Sequence, residues 1–157
     1  LSTLPERSFT PMNSLLRNIL AGVAGAIVSM PANMLLLGPL GRLTGAPVAP
    51  LYDPLRPEAS EAVWRAYFDS LDAVHMVGPL LAHWNGAFCG AFVAGLMAAH
   101  RGMLIPLIVA GFVMLGGIAN AFVLPGQPPA FLVLDILGYL PVGWLGWKLA
   151  LGLRPKA

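Results

Sequence analysis

The chain has 157 residues, 57% of them hydrophobic and only 10% charged, with a formal charge of +2. Soluble domains carry about a quarter charged residues, so this composition excludes an ordinary soluble fold and places the chain in the membrane class. The small positive excess excludes a nucleic-acid surface and reads instead as a topology signal. The single cysteine, Cys89, excludes an internal disulfide or a multi-cysteine metal site and reads as a small buried hydrophobe.

Residues 1–14 are polar, contain Pro5 and Pro11, and read as an exposed arm. The first apolar run, about 17–39, has no charge after Arg17 and matches the roughly 20 residues that cross a bilayer. It continues past any small-residue cleavage site, so it reads as a retained span rather than a signal peptide. Pro31 should kink it.

Residues 40–78 form the one long polar connection. After a loop rich in proline, a helix is expected over about 57–74, with Pro57 in its first turn and Glu58 and Glu61 near its N-terminus. Trp64, Tyr67, Phe68 and Leu71 recur at i, i+3, i+4 and i+7, which makes one aromatic, apolar stripe. The pattern predicts an amphipathic helix on the membrane surface, its stripe facing lipid or the protein's own spans.

The second span is expected over about 79–99, opened by Pro79. Gly86 and Gly90 form a GxxxG pair, and Ala87, Ala91 and Gly95 make a second small-residue ridge beside it. Such ridges let helix backbones approach closely. A tight turn at His100–Gly102 leads to a third span, about 103–124. The Pro125-Gly126-Gln127-Pro128-Pro129 turn then leads to a fourth, about 130–150, with Pro141 inside it. The fold expected is thus an all-α membrane protein: one domain of four transmembrane helices plus an interfacial helix between the first two.

Arg7, Arg17, Arg101, Lys148, Arg154 and Lys156 fall on one side of this layout, and Arg42, Arg56 and Arg65 on the other. The six-to-three split predicts both termini in the cytoplasm of a bacterial inner or derived membrane. Trp144 and Trp147, beside Lys148, then form an inner interfacial anchor.

The few polar residues inside the spans are Asn33, His83, Asn85, Asn120 and Asp135. Counting from the span ends at 1.5 Å per residue, all lie roughly 6–11 Å beneath the same, outer boundary. A carboxylate at that depth is costly unless paired, and His83, Asn85 and Asn120 are the partners expected for Asp135. The belt reads first as a hydrogen-bonded cluster that holds the spans in register, and second as a proton relay or ligand notch.

Catalytic chemistry finds little support. No HExxH, GxSxG or P-loop motif is present. Ser29 and His83 lie at different depths, so a membrane serine–histidine pair is not expected. No metal or cofactor is expected. His83 is the only candidate axial ligand for a haem or pigment, and a lone histidine reads more simply as a hydrogen-bonding group.

Three stretches carry a resemblance: Gly86-Ala87-Phe88-Cys89-Gly90-Ala91, then Gly116-Gly117-Ile118-Ala119-Asn120, then Leu137-Gly138-Tyr139-Leu140-Pro141-Val142-Gly143-Trp144-Leu145-Gly146. Over residues 80–150 the chain loosely resembles small bacterial four-span membrane proteins to which no activity is assigned. The resemblance implies a fold and transfers no site.

The leading functional expectation is a non-enzymatic accessory subunit. It would pack by its small-residue ridges, in lipid, against other transmembrane subunits of a larger respiratory or photosynthetic complex. The alternative is a small oligomeric transporter or proton-coupled channel component using Asp135 and His83.

Overall fold

The computed structural model describes residues 12–51 and 53–155. Residues 1–11 of the expected N-terminal arm, with Arg7, and Lys156 lie outside the described residues, and Ser14, expected at the end of that arm, already begins the first helix. The elements, in chain order, are α1 (Ser14–Thr44), α2 (Pro57–Asp69), α3 (Ala73–Met97), α4 (Leu104–Val123) and α5 (Pro129–Leu153). All but α2 are long and apolar enough to cross a membrane. The chain is therefore an all-helical protein with four candidate spans, as its composition requires.

The first helix is longer than expected. Its 31 residues correspond to about 46 Å, against a hydrocarbon thickness of about 30 Å. Asn13 caps its start by accepting from the Leu15 N–H at 2.9 Å. Its far end stops in a Schellman arrangement. Gly45 takes a positive φ of 71°, its N–H donates to the Arg42 carbonyl, and the Ala46 N–H donates to the Gly41 carbonyl.

Two expected boundaries are corrected. The helix expected over 57–74 ends at Asp69, so Leu71 lies in the turn beyond it and not on the α2 stripe. The span expected to open at Pro79 begins at Ala73, with Pro79 inside it. One cause accounts for both: Asp72 starts a new helix, and its N–H donates to Nδ1 of His75 at 3.0 Å as half of a capping box.

The helix α3 is the hub. It packs against α1, α5 and α4, whereas α1 and α5 do not meet. Its two small ridges face different neighbours. A Cβ on Gly86 would lie 2.9 Å from the Ser29 carbonyl, and one on Gly90 2.9 Å from the Gly25 carbonyl. A Cβ on Gly95 would lie 2.9 Å from Ala150 of α5, while Ala87 and Ala91 are fully buried, Ala87 beside Ala110 and Tyr139. Close backbone approach replaces large side chains as the source of packing, as suits helices that gain little from burying apolar surface against one another in lipid. Tyr139 is the largest fully buried side chain.

The spans run antiparallel, so α3 and α5 end on the side where α1 starts. That end is closed by arginines. Arg101 donates to the carbonyls of Leu151, Arg154 and Pro155 at 2.9, 3.1 and 2.7 Å. Arg154 donates to those of Gly95 and His100, and Arg17 to that of Met97 at 2.8 Å. The last carbonyls of a helix lack intrahelical partners and carry partial negative charge, so these cations satisfy both needs. Beside them, the Lys148 ammonium lies 5.1 Å from the Trp144 ring centre and 5.8 Å from that of Trp147.

Candidate ligand-binding site

The opposite end is open. A cavity of about 410 Å³ lies beneath α2, within the size range of small-molecule sites. Leu37, Gly38, Gly41 and Arg42 of α1 form one wall, and Met76, Pro79 and His83 of α3 another. Asn120, Leu124, Gln127 and Phe131 bring in α4, the following turn and α5. Trp64, Tyr67 and Phe68 close it from above, together with the loop at Ala46–Ala49.

The aromatic stripe thus faces the protein. Trp64 is buried, and its ring meets those of Tyr67 and Phe68 at 5.5 and 5.7 Å. The Tyr67 hydroxyl donates to the Pro47 carbonyl at 3.3 Å, and burial raises its phenol above the ordinary tyrosine range. The Gly126 turn, at φ 99°, supports α2 from the other side: a Cβ there would lie 2.9 Å from the Arg65 backbone.

Below this roof, His83 leads to a buried polar group. Asp135 is 3% exposed. Its Oδ2 lies 2.9 Å from Nδ1 of His83 and accepts from the Tyr139 hydroxyl at 3.0 Å. The imidazole stacks on the Tyr139 ring at 6.3 Å and leans against Phe131 at 6.4 Å. Trp84 donates its indole N–H to the Asp135 backbone carbonyl at 3.2 Å. Two glycines make this geometry possible. A Cβ on Gly138 would enter the Trp84 ring, and one on Gly117 would strike the Tyr139 hydroxyl. The hydrogen-bonded group Tyr139–Asp135–His83 is therefore set by α3, α4 and α5 together.

The expected belt divides. Only His83 pairs with Asp135. Asn85 turns to α1, donating to the Ala32 carbonyl at 2.7 Å and accepting from the Cys89 thiol. Asn33 also lies on the α1 side, beside Gly86, with its side-chain oxygen buried and unpartnered. Asn120 reaches the cavity without bonding Asp135. Ser29 gives its hydroxyl to the Gly25 carbonyl, away from His83. Tyr139 and Trp84 are members that sequence reasoning missed. The i, i+4 spacing of Asp135 and Tyr139 was the signal available for the first.

Fold and site together define a helical membrane protein with a mostly apolar cavity at one end and a hydrogen-bonded His83–Asp135–Tyr139 group at its floor. Comparisons with family models, curated proteins and solved structures give no match. The resemblance of residues 80–150 to four-span proteins accordingly stays an expectation.

Proposed function

We propose that this chain is a non-enzymatic, membrane-embedded binding protein that receives a small, mostly apolar molecule beneath α2. The carrying observation is the joining of two features at one place: an apolar cavity of about 410 Å³ and the Asp135-held imidazole of His83 that lines it. A cluster that only fixes helix register needs no cavity beside it, and a packing defect needs no oriented polar group. A binding site needs both. In this reading α2 lies at the membrane surface, with Arg56, Glu58, Glu61 and Asp69 exposed to water and its aromatic face as the roof.

The accessory-subunit expectation rested on a surplus of small-residue ridges. Those of α3 are taken up by α1 and α5, while Gly111 and Gly116 of α4 meet nothing and are left open to a partner. A proton-coupled role for Asp135 and His83 is the second reading, favoured by their direct hydrogen bond. Asp135→Asn in reconstituted vesicles should then change pH-dependent proton flux, and unchanged flux removes that role. For orientation, the excess of Arg17, Arg101, Lys148 and Arg154 over Arg42, Arg56 and Arg65 favours cytoplasmic termini. A C-terminal reporter that reads external would reverse it.

Gly38 supplies the main test. It lines the cavity, and a Cβ there meets nothing within 4 Å. Gly38→Phe should fill the space and leave the bundle intact. Wild-type protein purified from its native membrane should carry an apolar molecule, found by solvent extraction and mass spectrometry, that the variant lacks. Identical extracts from two equally folded proteins would sink the proposal.

A further inference from the structure

Charge is sorted around the cavity beneath α2. Arg42 of α1 lines it and is exposed, which marks the mouth. Arg17, Arg101 and Arg154 fold onto helix carbonyls, whereas Arg42 donates to no group and pairs with no acid among the described residues. Acidic residues are plentiful at this end, at Asp53, Glu58, Glu61, Asp69 and Asp72, yet none of them lines the cavity. Glu61 holds Arg65 at 2.8 Å, and the Asp72 carboxylate accepts the His75 N–H in the capping box. The other ionisable lining residues, His75 and His83, are neutral or positive in any protonation state. The described lining therefore never carries a negative side chain, and its one permanent charge is an unpaired cation. That is the complement of an anion.

Polarity is also graded with depth. From His75 near the mouth to His83 at the floor the cavity follows α3 for eight residues, or about 12 Å. Between them the walls are apolar: Met76 and Phe131 are buried, and Leu37, Pro79 and Leu124 join them. The mouth stands at the height of lipid headgroups. Arg17 and Arg42 lie 25 residues apart on α1, about 38 Å, which exceeds the hydrocarbon thickness and falls just short of the whole bilayer.

We infer that the molecule seated beneath α2 is an anionic amphiphile. Its carboxylate or phosphate head meets the Arg42 guanidinium, whose planar fork suits either group. Its alkyl chain runs inward along Met76, Pro79 and Phe131. The head stays at the mouth because a charge carried down to the apolar walls would be costly. This rests on the cavity being a binding site, and the two claims fail separately.

The full chain is reconstituted in phosphatidylcholine vesicles in mildly alkaline buffer, where a carboxylate is ionised. Three radiolabelled probes with the same chain are offered: laurate, dodecanol and dodecyltrimethylammonium. Specific binding is the uptake by wild-type vesicles in excess of Gly38→Phe vesicles. Laurate should bind about fivefold more tightly than dodecanol, the worth of one exposed ion pair, and the ammonium more weakly than either. Arg42 is exposed and bonds nothing among the described residues, so its replacement leaves the fold intact. Arg42→Gln should bring laurate down to the level of dodecanol without changing dodecanol, and Arg42→Lys should keep part of the preference. Phosphatidylglycerol added to the vesicles separates two sources of the head: competition with laurate assigns it to a membrane lipid, and no competition to a free acyl acid. Equal, Gly38-dependent binding of laurate and dodecanol, or a laurate preference that survives Arg42→Gln, would overturn the anionic head at Arg42 and leave the binding site standing. Tightest binding of the ammonium would do the same. Uptake of all probes unaffected by Gly38→Phe would overturn the binding site itself.

Discussion

The two ends of this bundle treat exposed polarity in opposite ways. At the arginine end, charged side chains fold back onto helix carbonyls, and the chain closes on itself with Arg17, Arg101 and Arg154 within a few turns of one another. The crowding is visible in Arg154, whose guanidinium is shifted down by burial and then by the charges of Arg17 and Arg101. At the α2 end, Arg56, Glu58, Glu61 and Asp69 stay exposed, while mostly apolar groups, with Arg42, His75 and His83 among them, line a space the helices leave open. Charge thus closes one end, and hydrogen-bonding capacity is held in reserve at the other. A protein that needed only to be stable would close both.

The largest expected effect breaks the open end at its deepest point. Asp135→Leu removes the shared acceptor of Tyr139 and His83 and leaves a buried hydroxyl and a half-buried imidazole without that partner. Removing one partner of a buried pair costs about 3–5 kcal/mol. The variant should unfold at markedly lower temperature or denaturant than wild type. A loss under about 1 kcal/mol would mean that this group does not hold the helices together.

Glycines sharpen the contrast, because the same substitution should act with opposite sign at two positions. At Gly90, where α1 and α3 touch, a Cβ would meet the Ser29 side chain, the Gly25 carbonyl and Val109. Gly90→Ala forces the helices apart and should cost about 1–3 kcal/mol. At Gly38, beside the cavity, a Cβ meets nothing. Gly38→Ala should be neutral or stabilising by up to about 1 kcal/mol through helix propensity. Equal destabilisation of both variants would show that the cavity collapses in the membrane.

Arginines give a smaller test of the same comparison. Arg101→Met deletes three hydrogen bonds, one to the Leu151 carbonyl of α5 and two to the Arg154 and Pro155 carbonyls just beyond it, each carried by a charged donor worth about 1.5–3 kcal/mol before solvent screening. About 2 kcal/mol is expected after water replaces part of them. Arg65→Met removes only an exposed i, i+4 pair with Glu61, worth about 0.3–0.5 kcal/mol. Thermal unfolding of the two variants side by side measures the asymmetry of the ends directly.

How far the sequence shows this arrangement follows from what periodicity and depth can encode. Span number and type were legible, because apolar length alone decides them in a bilayer. The start of α3 was not, because Pro79 looks like an opening residue and the cap at Asp72 depends on His75 turning back. Depth placed the polar residues in one belt but could not pair them. Depth is an axial coordinate, and pairing depends on the angle around the helix. His83 and Asn85 are two residues apart, hence about 200° around α3, so one faces α5 and the other α1. The aromatic stripe on α2 was legible, but its role as a roof was not. That role depends on the Ala46–Ala49 loop and the Gly126 turn, which meet α2 only in three dimensions.

The smallest expected effect is the most specific to the open end. The Tyr67 phenol, raised from its ordinary 10.0 by burial, donates to the Pro47 carbonyl and ties α2 to the loop. A folded-state pKa above the unfolded one means that the protonated form is favoured in the folded protein. The contribution is full below pH 10 and is lost as pH rises through the folded value. The roof should therefore loosen only in strong alkali, seen as faster proteolysis between α2 and α1, while the arginine end holds. Tyr67→Phe should abolish that alkaline step and cost about 1 kcal/mol or less at neutral pH, since one long hydrogen bond is removed and the ring stays in place. An alkaline step that persists in Tyr67→Phe would assign the loosening to some other group. A step that reaches both ends together would show that the ends are not independent, and that the contrast between them is one of architecture alone.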